Sequence, residues 1–304
     1  MIVFSARGRD GVRQLHFLPD GELAARTGTG LCVWDLDTRT LRIDDTGGFA
    51  SPYLFAPDGR SVIRYSYNRD VGVYSLTEAL WVGGSLHQAL PHFLLWSPDG
   101  QTLMVGNRSY VPTDSSQYLP TDRFVRVADG KPAAAFMTRQ IVRDAQGRNV
   151  YHSQAAVSPD GRRAVTYSWG TMHVYDLKSD RLVKEITMPV ESVKSGVFTP
   201  DGSRFLVWAA FKIYAIDLDT GKVAFSYLAC PRAVQDATLT PDGRHLLQVS
   251  ADRTVRVLDV ATGRLVKDYA WEVGKLNAVA VSPDGLLAAC GGTGGRVVVW
   301  DLDL

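Results

Sequence analysis

The residues of this chain that could do chemistry are six histidines, three cysteines and an aspartate that recurs in one tripeptide. The histidines, His16, His87, His92, His152, His173 and His245, show no metal-ligand spacing. His87 and His92 are five residues apart in a stretch read as a loop, where no helix would align them. Cys32, Cys230 and Cys290 form no Cys-x-x-Cys pair, and an odd count without a disulfide framework reads as reduced thiols in a cytoplasmic protein. The recurring aspartate lies in Pro-Asp-Gly. One copy per repeat spreads the carboxylates around a face, whereas calcium needs about six to eight oxygens around one point. Turn capping explains them better. The glycine clusters at 28–30 and 291–295 lack the Lys-Ser/Thr ending of a phosphate loop and read as turns that need positive φ. No Gly-x-Ser-x-Gly elbow occurs. Asn107-Arg108-Ser109 matches a glycosylation sequon, but Met1 to Gly11 lacks the basic-then-apolar pattern of a secretory signal. No catalytic residue, cofactor or metal site is therefore assigned.

The elements that must position any site are more legible. Pro-Asp-Gly begins at Pro19, Pro57, Pro98, Pro159, Pro200, Pro241 and Pro283, so the spacings are 38, 41, 61, 41, 41 and 42 residues. Six of the seven units fit a period near forty and one carries an insertion. Each turn sits between two apolar stretches, as in Ala155-Ala156-Val157 and Ala164-Val165-Thr166, which is a hairpin pattern. A third stretch follows: Cys32-Val33-Trp34-Asp35, Val73-Tyr74-Ser75, Val127-Ala128-Asp129, Val174-Tyr175-Asp176, Ala215-Ile216-Asp217, Val257-Leu258-Asp259 and Val299-Trp300-Asp301. An outer strand such as Leu182-Val183-Lys184-Glu185-Ile186 completes each unit. Units of roughly 40–45 residues with four strands each mark propeller blades. The 28 glycines and 14 prolines fit many turns and short strands, and 45% apolar content suffices for a large core. No apolar run reaches the roughly 18 residues of a membrane span.

These residues resemble the WD-repeat family over Met1 to Leu304, with one irregular unit; two of the third strands carry the Trp-Asp pair that names it. The resemblance implies a single all-β domain, 1–304, folded as a seven-bladed β-propeller of four-stranded antiparallel blades. It departs from the family in two ways. The Gly-His pair about eleven residues before each proline is reduced to His87, and the Asp of the second-to-third-strand loop survives only at Asp122 and Asp252. The last third strand, Arg296 to Leu302, reaches the C-terminus, so Ile2-Val3-Phe4-Ser5 is expected to close blade seven as its outer strand, paired with Val297-Val298-Val299-Trp300. Phe17, Phe55, Trp96 and Phe198, at one offset before Pro-Asp-Gly, read as core, as do Trp34 and Trp300.

Two departures from blade architecture carry the binding expectations. Blade three has an insertion at 107–123, and the inter-blade loop at about 137–153 is extended. In the family both kinds of loop emerge on one face, the top. Long loops in compact domains are usually functional or disordered. The first holds Tyr110 and Tyr118, the second Arg139, Arg143, Arg148 and Tyr151, and aromatic and Arg side chains are the types that anchor interfaces. Six residues before each proline stand Arg13, Ser51, His92, Ser153, Lys194, Gln235 and Asn277, all polar, which places them around the top mouth of the channel. Arg13, His92 and Lys194, with Tyr67 and Trp169, complete the candidate partner-binding set.

The resemblance and the lack of catalytic motifs together point to a non-catalytic rigid scaffold. Its protein partner would bind on the top face and channel mouth. The alternatives are a propeller enzyme of lactonase or lyase type, or a small-molecule sensor, with its site at the same mouth. Net charge is only +1, yet top-loop cations outnumber top-loop acids, so a basic top and an acidic bottom are expected, with an acidic segment as partner. Scattered cations argue against nucleic acid. A cytoplasmic monomer without membrane contact is the expected state.

Overall fold

Five of the seven Pro-Asp-Gly turns are held by a hydroxyl just before the proline and by the aspartate; the first two have Leu18 and Ala56 at the hydroxyl position. In the fourth repeat, Ser158 Oγ donates to Asp160 Oδ1 at 2.6 Å and accepts from Arg163 N at 2.9 Å, while Asp160 Oδ1 accepts from Arg162 N at 3.0 Å. Ser97, Thr199, Thr240 and Ser282 act in the same way. All seven glycines of the tripeptide take φ between 66° and 76°, where only glycine is unstrained. Gly243 has a second constraint: a Cβ there would lie 2.8 Å from Cδ of Pro200, on the preceding blade.

The structure, a computed structural model, describes all residues except 7–10, 29, 46–53, 57–58, 66–70, 79, 88–92, 98, 107, 111–117, 121–122, 127–153, 169, 180, 210, 229–231 and 272. The chain opens with β1 (Ile2–Ser5). Blade one is β2 (Val12–Phe17), β3 (Glu22–Thr27), β4 (Leu31–Asp35) and β5 (Leu41–Asp45). Blade two is β6 (Leu54–Phe55), β7 (Ser61–Tyr65), β8 (Val71–Ser75) and β9 (Leu80–His87). Blade three holds β10 (Phe93–Trp96), β11 (Thr102–Gly106) and β14 (Arg123–Arg126), three strands among the described residues, with β12 (Arg108–Tyr110) and β13 (Tyr118–Pro120) as a separate pair. Blade four is β15 (Gln154–Val157), β16 (Arg163–Ser168), β17 (Thr171–Asp176) and β18 (Arg181–Thr187). Blade five is β19 (Ser195–Phe198), β20 (Arg204–Ala209), β21 (Lys212–Asp217) and β22 (Val223–Leu228). Blade six is β23 (Val234–Leu239), β24 (His245–Ser250), β25 (Thr254–Asp259) and β26 (Leu265–Ala270). Blade seven is β27 (Leu276–Val281), β28 (Leu287–Gly292) and β29 (Arg296–Asp301), completed by β1. The fold is an all-β seven-bladed propeller, and the described residues include no helix, hence none long and apolar enough to cross a membrane.

The closing strand pairs one residue away from expectation. Phe4 faces Val297 and Ser5 faces Arg296, so Trp300 is not a partner of β1. This register puts Phe4, 6% exposed, against Trp34 of blade one, with ring centroids 5.3 Å apart. A shift by one residue would turn that ring outward. Two more expectations change. The insertion of blade three is a hairpin with Tyr110 opposite Tyr118, and His87 ends strand β9 instead of lying in a loop. The third stretch of blade three, Val127 to Asp129, lies outside the described residues.

Core clusters bridge blades seven and one, one and two, four and five, five and six, and six and seven. Directional polar contacts add to them. Along the outer bottom, Arg42 Nη1 donates to Leu76 O at 2.7 Å, Lys184 Nζ to Asp219 O, and Lys267 Nζ to Asp303 O at 3.1 Å. Along the inner top, Gln154 Nε2 donates to Lys194 O at 2.8 Å, Lys194 Nζ to Val234 O at 2.8 Å, and Asn277 Nδ2 to Val12 O at 3.2 Å. In every case the side chain belongs to one blade and the backbone group to the next.

Candidate functional site

The top mouth owes its polar rim to a backbone irregularity. The pairing of the innermost strands shifts between Val12 and Gln14, between Val234 and Asp236, and between Leu276 and Ala278. Arg13, Gln235 and Asn277 are therefore the extra residues of β-bulges, which re-aim a side chain out of the ladder. Lys194 stands just before β19, its N–H bonded to Trp208 O at 2.9 Å. The rim is thus partly structural: Asn277 and Lys194 each hold the next blade, and Arg13 is exposed. Ser51, His92 and Ser153 lie outside the described residues, as do Tyr67, Arg139, Arg143, Arg148, Tyr151 and Trp169. Of the candidate set the fold brings together the Tyr110 and Tyr118 backbones.

The chemistry of this mouth centres on Lys194 and a residue that sequence reading missed, Asp236. The Lys194 ammonium donates to Val234 O and, at 3.0 Å, to Gln235 Oε1. Partial burial draws its pKa below the ordinary lysine value; Lys275 nearby acts in the same direction and Asp236 against it. Burial pushes the Asp236 carboxyl up to about 6, against the pull of backbone donors and Lys194. Asp236 Oδ2 accepts from Val279 N of blade seven at 3.1 Å, and Oδ1 accepts from Ala237 N at 3.0 Å. Both carboxylate oxygens are engaged by backbone, the arrangement of a clasp between blades. The signal available in the sequence was a lone acid within the inner strand, one position after the polar offset.

The two ends differ in charge among the described residues. Arg13, Lys194, Arg232, Arg253, Lys275 and Arg296 are exposed at the top. Among the described acids near the top, Glu191 is exposed, Asp44 and Asp45 end β5, Asp236 is clasped, and Asp252 is tied to Arg256 at 2.8 Å. The described bottom turns hold more acids than cations, with cations set among them. Arg60, Arg162 and Arg244 come within 3.8–3.9 Å of bottom aspartates. Those aspartates remain ionised to lower pH than usual, because hydroxyl and backbone donors hold Asp160, Asp201, Asp242 and Asp284 below the ordinary carboxylate range.

Other candidate chemistry resolves into packing. Gly291 and Gly292 lie in β28, not in a turn. They are glycines because a Cβ would meet Val12 Cβ at 2.9 Å and Lys275 O at 2.0 Å, respectively. His173 is buried beside Glu185, Nε2 to Oε2 3.4 Å, and burial lowers its pKa. Cys32 and Cys290 are buried thiols, and burial pushes Cys290 up to about 12; Cys230 lies outside the described residues. Among the described residues no three His, Cys, Asp or Glu side chains cluster as metal ligands. A cavity of about 310 Å³ lies at the Pro-Asp-Gly end of the channel, not at the top mouth. Its lining includes His16, Phe17, Pro19, Thr238, Val281 and Pro283.

The family model for the WD domain, G-beta repeat, matches residues 266–301, from the outer strand of blade six to the end of β29. The small ribosomal subunit protein RACK1 of Neurospora crassa is 40% identical over 52 residues, the cross-pathway control WD-repeat protein 2 of Flammulina velutipes 42% and the MST50-interacting protein 11 of Pyricularia oryzae 38% over the same length. Each match spans 17% of this chain and only 16% of the relative. The propeller's last repeat, residues 266–301, is thus similar to a WD-type repeat, and the sheets before it repeat the same strand order.

Proposed function

We propose that this propeller is a non-catalytic rigid scaffold, a cytoplasmic monomer acting as one domain, whose top face and channel mouth bind an acidic segment of a protein partner. The observation that carries this reading is the charge split. Cations of the top loops are exposed, while Asp236 and Asp252 are turned to structural bonds. A surface of one sign speeds encounter with a partner of the other. Two relatives are named as a ribosomal subunit protein and as an interacting protein, which fits a role in assemblies. The test is fluorescence anisotropy with a labelled oligoglutamate peptide. A variant carrying Arg13→Glu, Lys194→Gln, Lys275→Glu and Arg296→Glu should lose binding. A bottom variant carrying Arg162→Glu, Lys178→Glu and Arg244→Glu should keep it, and added salt should weaken the wild-type complex. Binding that survives the top variant means the surface is wrong.

The second reading, an enzyme of lactonase or lyase type at the mouth, is favoured by one feature: an acid and an amine stand together there, with burial pushing the Asp236 carboxyl up to about 6 and drawing Lys194 down. Against a role as general base stands its use in the fold, since backbone N–H groups of blades six and seven fix both oxygens in place.

A further inference from the structure

Two polar side chains line the cavity of about 310 Å³ at the Pro-Asp-Gly end of the channel. His16 stands on β2 of blade one and Thr238 on β23 of blade six; β27 of blade seven supplies Val279, Ala280 and Val281 to the same wall. Each of the two lies three residues before its Pro-Asp-Gly proline. In the other five blades that position is alanine, valine or leucine, so the blade itself does not require a polar group there. Both side chains are half-buried, and neither makes a hydrogen bond among the described residues.

The His16 ring is positioned by stacking on Phe55 of blade two, with centroids 4.6 Å apart and planes at 13°. Its Nε2 edge is toward the Gly59 turn, where a Cβ would lie 3.8 Å from that atom. Burial lowers its pKa below the ordinary histidine value, and no neighbouring charge opposes this. The ring is therefore neutral at pH 7 and offers one N–H and one lone pair. The Thr238 hydroxyl can donate or accept. The described lining includes no acid, lysine or arginine, so a charged guest would shed its hydration with no counter-ion in return. A neutral ring would pack against Leu15, Phe17 and Pro283 at no such cost. The volume stands at the lower end of small-molecule sites, which run from about 300 to 1,000 Å³.

We propose that this end of the channel binds a small neutral phenolic compound, its ring against Leu15, Phe17 and Val281 and its hydroxyl on the imidazole of His16, with Thr238 left for a second polar group. A phenol hydroxyl both donates and accepts, so it fits either tautomer of His16. Apolar walls with a few placed polar groups are the general form of small-molecule sites. The site lies at the opposite end of the channel from the peptide surface proposed above and does not depend on it.

The test titrates the protein with three probes of one shape, p-cresol, toluene and p-toluate, followed by ligand-observed NMR and by the imidazole resonances of His16. Wild type should bind p-cresol about tenfold more tightly than toluene, the effect of one hydrogen bond in a water-poor site, and p-toluate should not bind measurably. The His16 resonances should move with p-cresol and saturate with its binding. His16→Phe keeps a ring against Phe55 and should bind p-cresol and toluene alike. Thr238→Leu narrows the cavity and should weaken both. The quadruple top variant should bind p-cresol as wild type does, so failure of this site and failure of the top-face reading show separately. Absence of saturable p-cresol binding overturns the site. So does a p-cresol preference that survives His16→Phe, or p-toluate binding as tight as that of p-cresol. Should His16→Phe not fold, His16 resonances that stay fixed in wild type overturn it on their own.

Discussion

At the bottom of the ring, side chains are used on their own turns; at the top, several are left to solvent. The hydroxyls of Ser97, Ser158, Thr199, Thr240 and Ser282 and the aspartates two residues later bond each other and the adjacent backbone. Among the described residues the top loops share no such motif. They vary from blade to blade, with Phe211 at one tip, Arg253 at the next and Gly294 at a third. Repeated chemistry marks what the fold needs, because every blade has the same turn to close. Chemistry present in one blade only marks what the fold does not need. By this criterion substitutions in the bottom turns should change stability and leave binding alone, and exposed substitutions at the top should do the reverse.

The largest effect is expected at Gly243. Valine there must adopt φ near 70° and place its Cβ 2.8 Å from Pro200 Cδ, a combination of backbone strain and clash costing about 3–4 kcal/mol. Thermal unfolding of Gly243→Val measures it, and a loss below about 1 kcal/mol would place the ring's stability elsewhere. A smaller effect, of opposite pH dependence to the bottom turns, is expected at Asp236. Its folded pKa is raised from 3.8 to about 6, so its charge penalises folding; the penalty is absent below the unfolded value, grows through that window and is complete above it. At about 1.4 kcal/mol per unit the penalty approaches 3 kcal/mol as an upper bound. Asp236→Asn should therefore gain in melting temperature relative to wild type as pH rises from 3.8 to about 6, and then hold a constant difference. A difference that does not vary with pH contradicts the buried carboxyl. The smallest effect belongs to Thr240→Val, which removes the donor to Asp242 and the acceptor of His245 N, at about 1–2 kcal/mol. Asp242 is held low first by that hydroxyl, so its contribution is present above the unfolded pKa and fades as pH falls through the folded one. The variant's deficit should accordingly shrink in acid.

The seven-fold repeat was readable because Pro-Asp-Gly is local turn chemistry, complete within a few residues, and because apolar residues flank it at fixed offsets. The closing strand was readable from its β-branched and aromatic composition, but its register was not. Register depends on where Phe4 finds room against Trp34 of another blade. The polar offset six residues before each proline was visible as a pattern, while its cause was not. A bulge is a mismatch between two strands and leaves no mark on either alone. Asp236 was passed over for a related reason: its partner, Val279 N, is 43 residues away. The glycines at 291 and 292 were read as turn residues because close approach by Val12 and Lys275 cannot be seen in a local pattern. Phe211 was passed over, since the turn that leaves it exposed is set by pairing between Ala209 and Lys212.

Among the described residues, these inter-blade side-chain-to-backbone hydrogen bonds point the same way around the ring, with a side chain on one blade reaching the backbone of its successor. The leading and trailing sides of a blade are therefore different surfaces, complementary to each other and not to themselves. Such a contact is heterologous, the kind that generates closed rings or open fibres and not two-fold dimers. A fragment of this protein with a blade removed would present one unmatched surface of each kind. Its copies should join head to tail, so that truncation yields cyclic or filamentous assemblies in place of a smaller monomer.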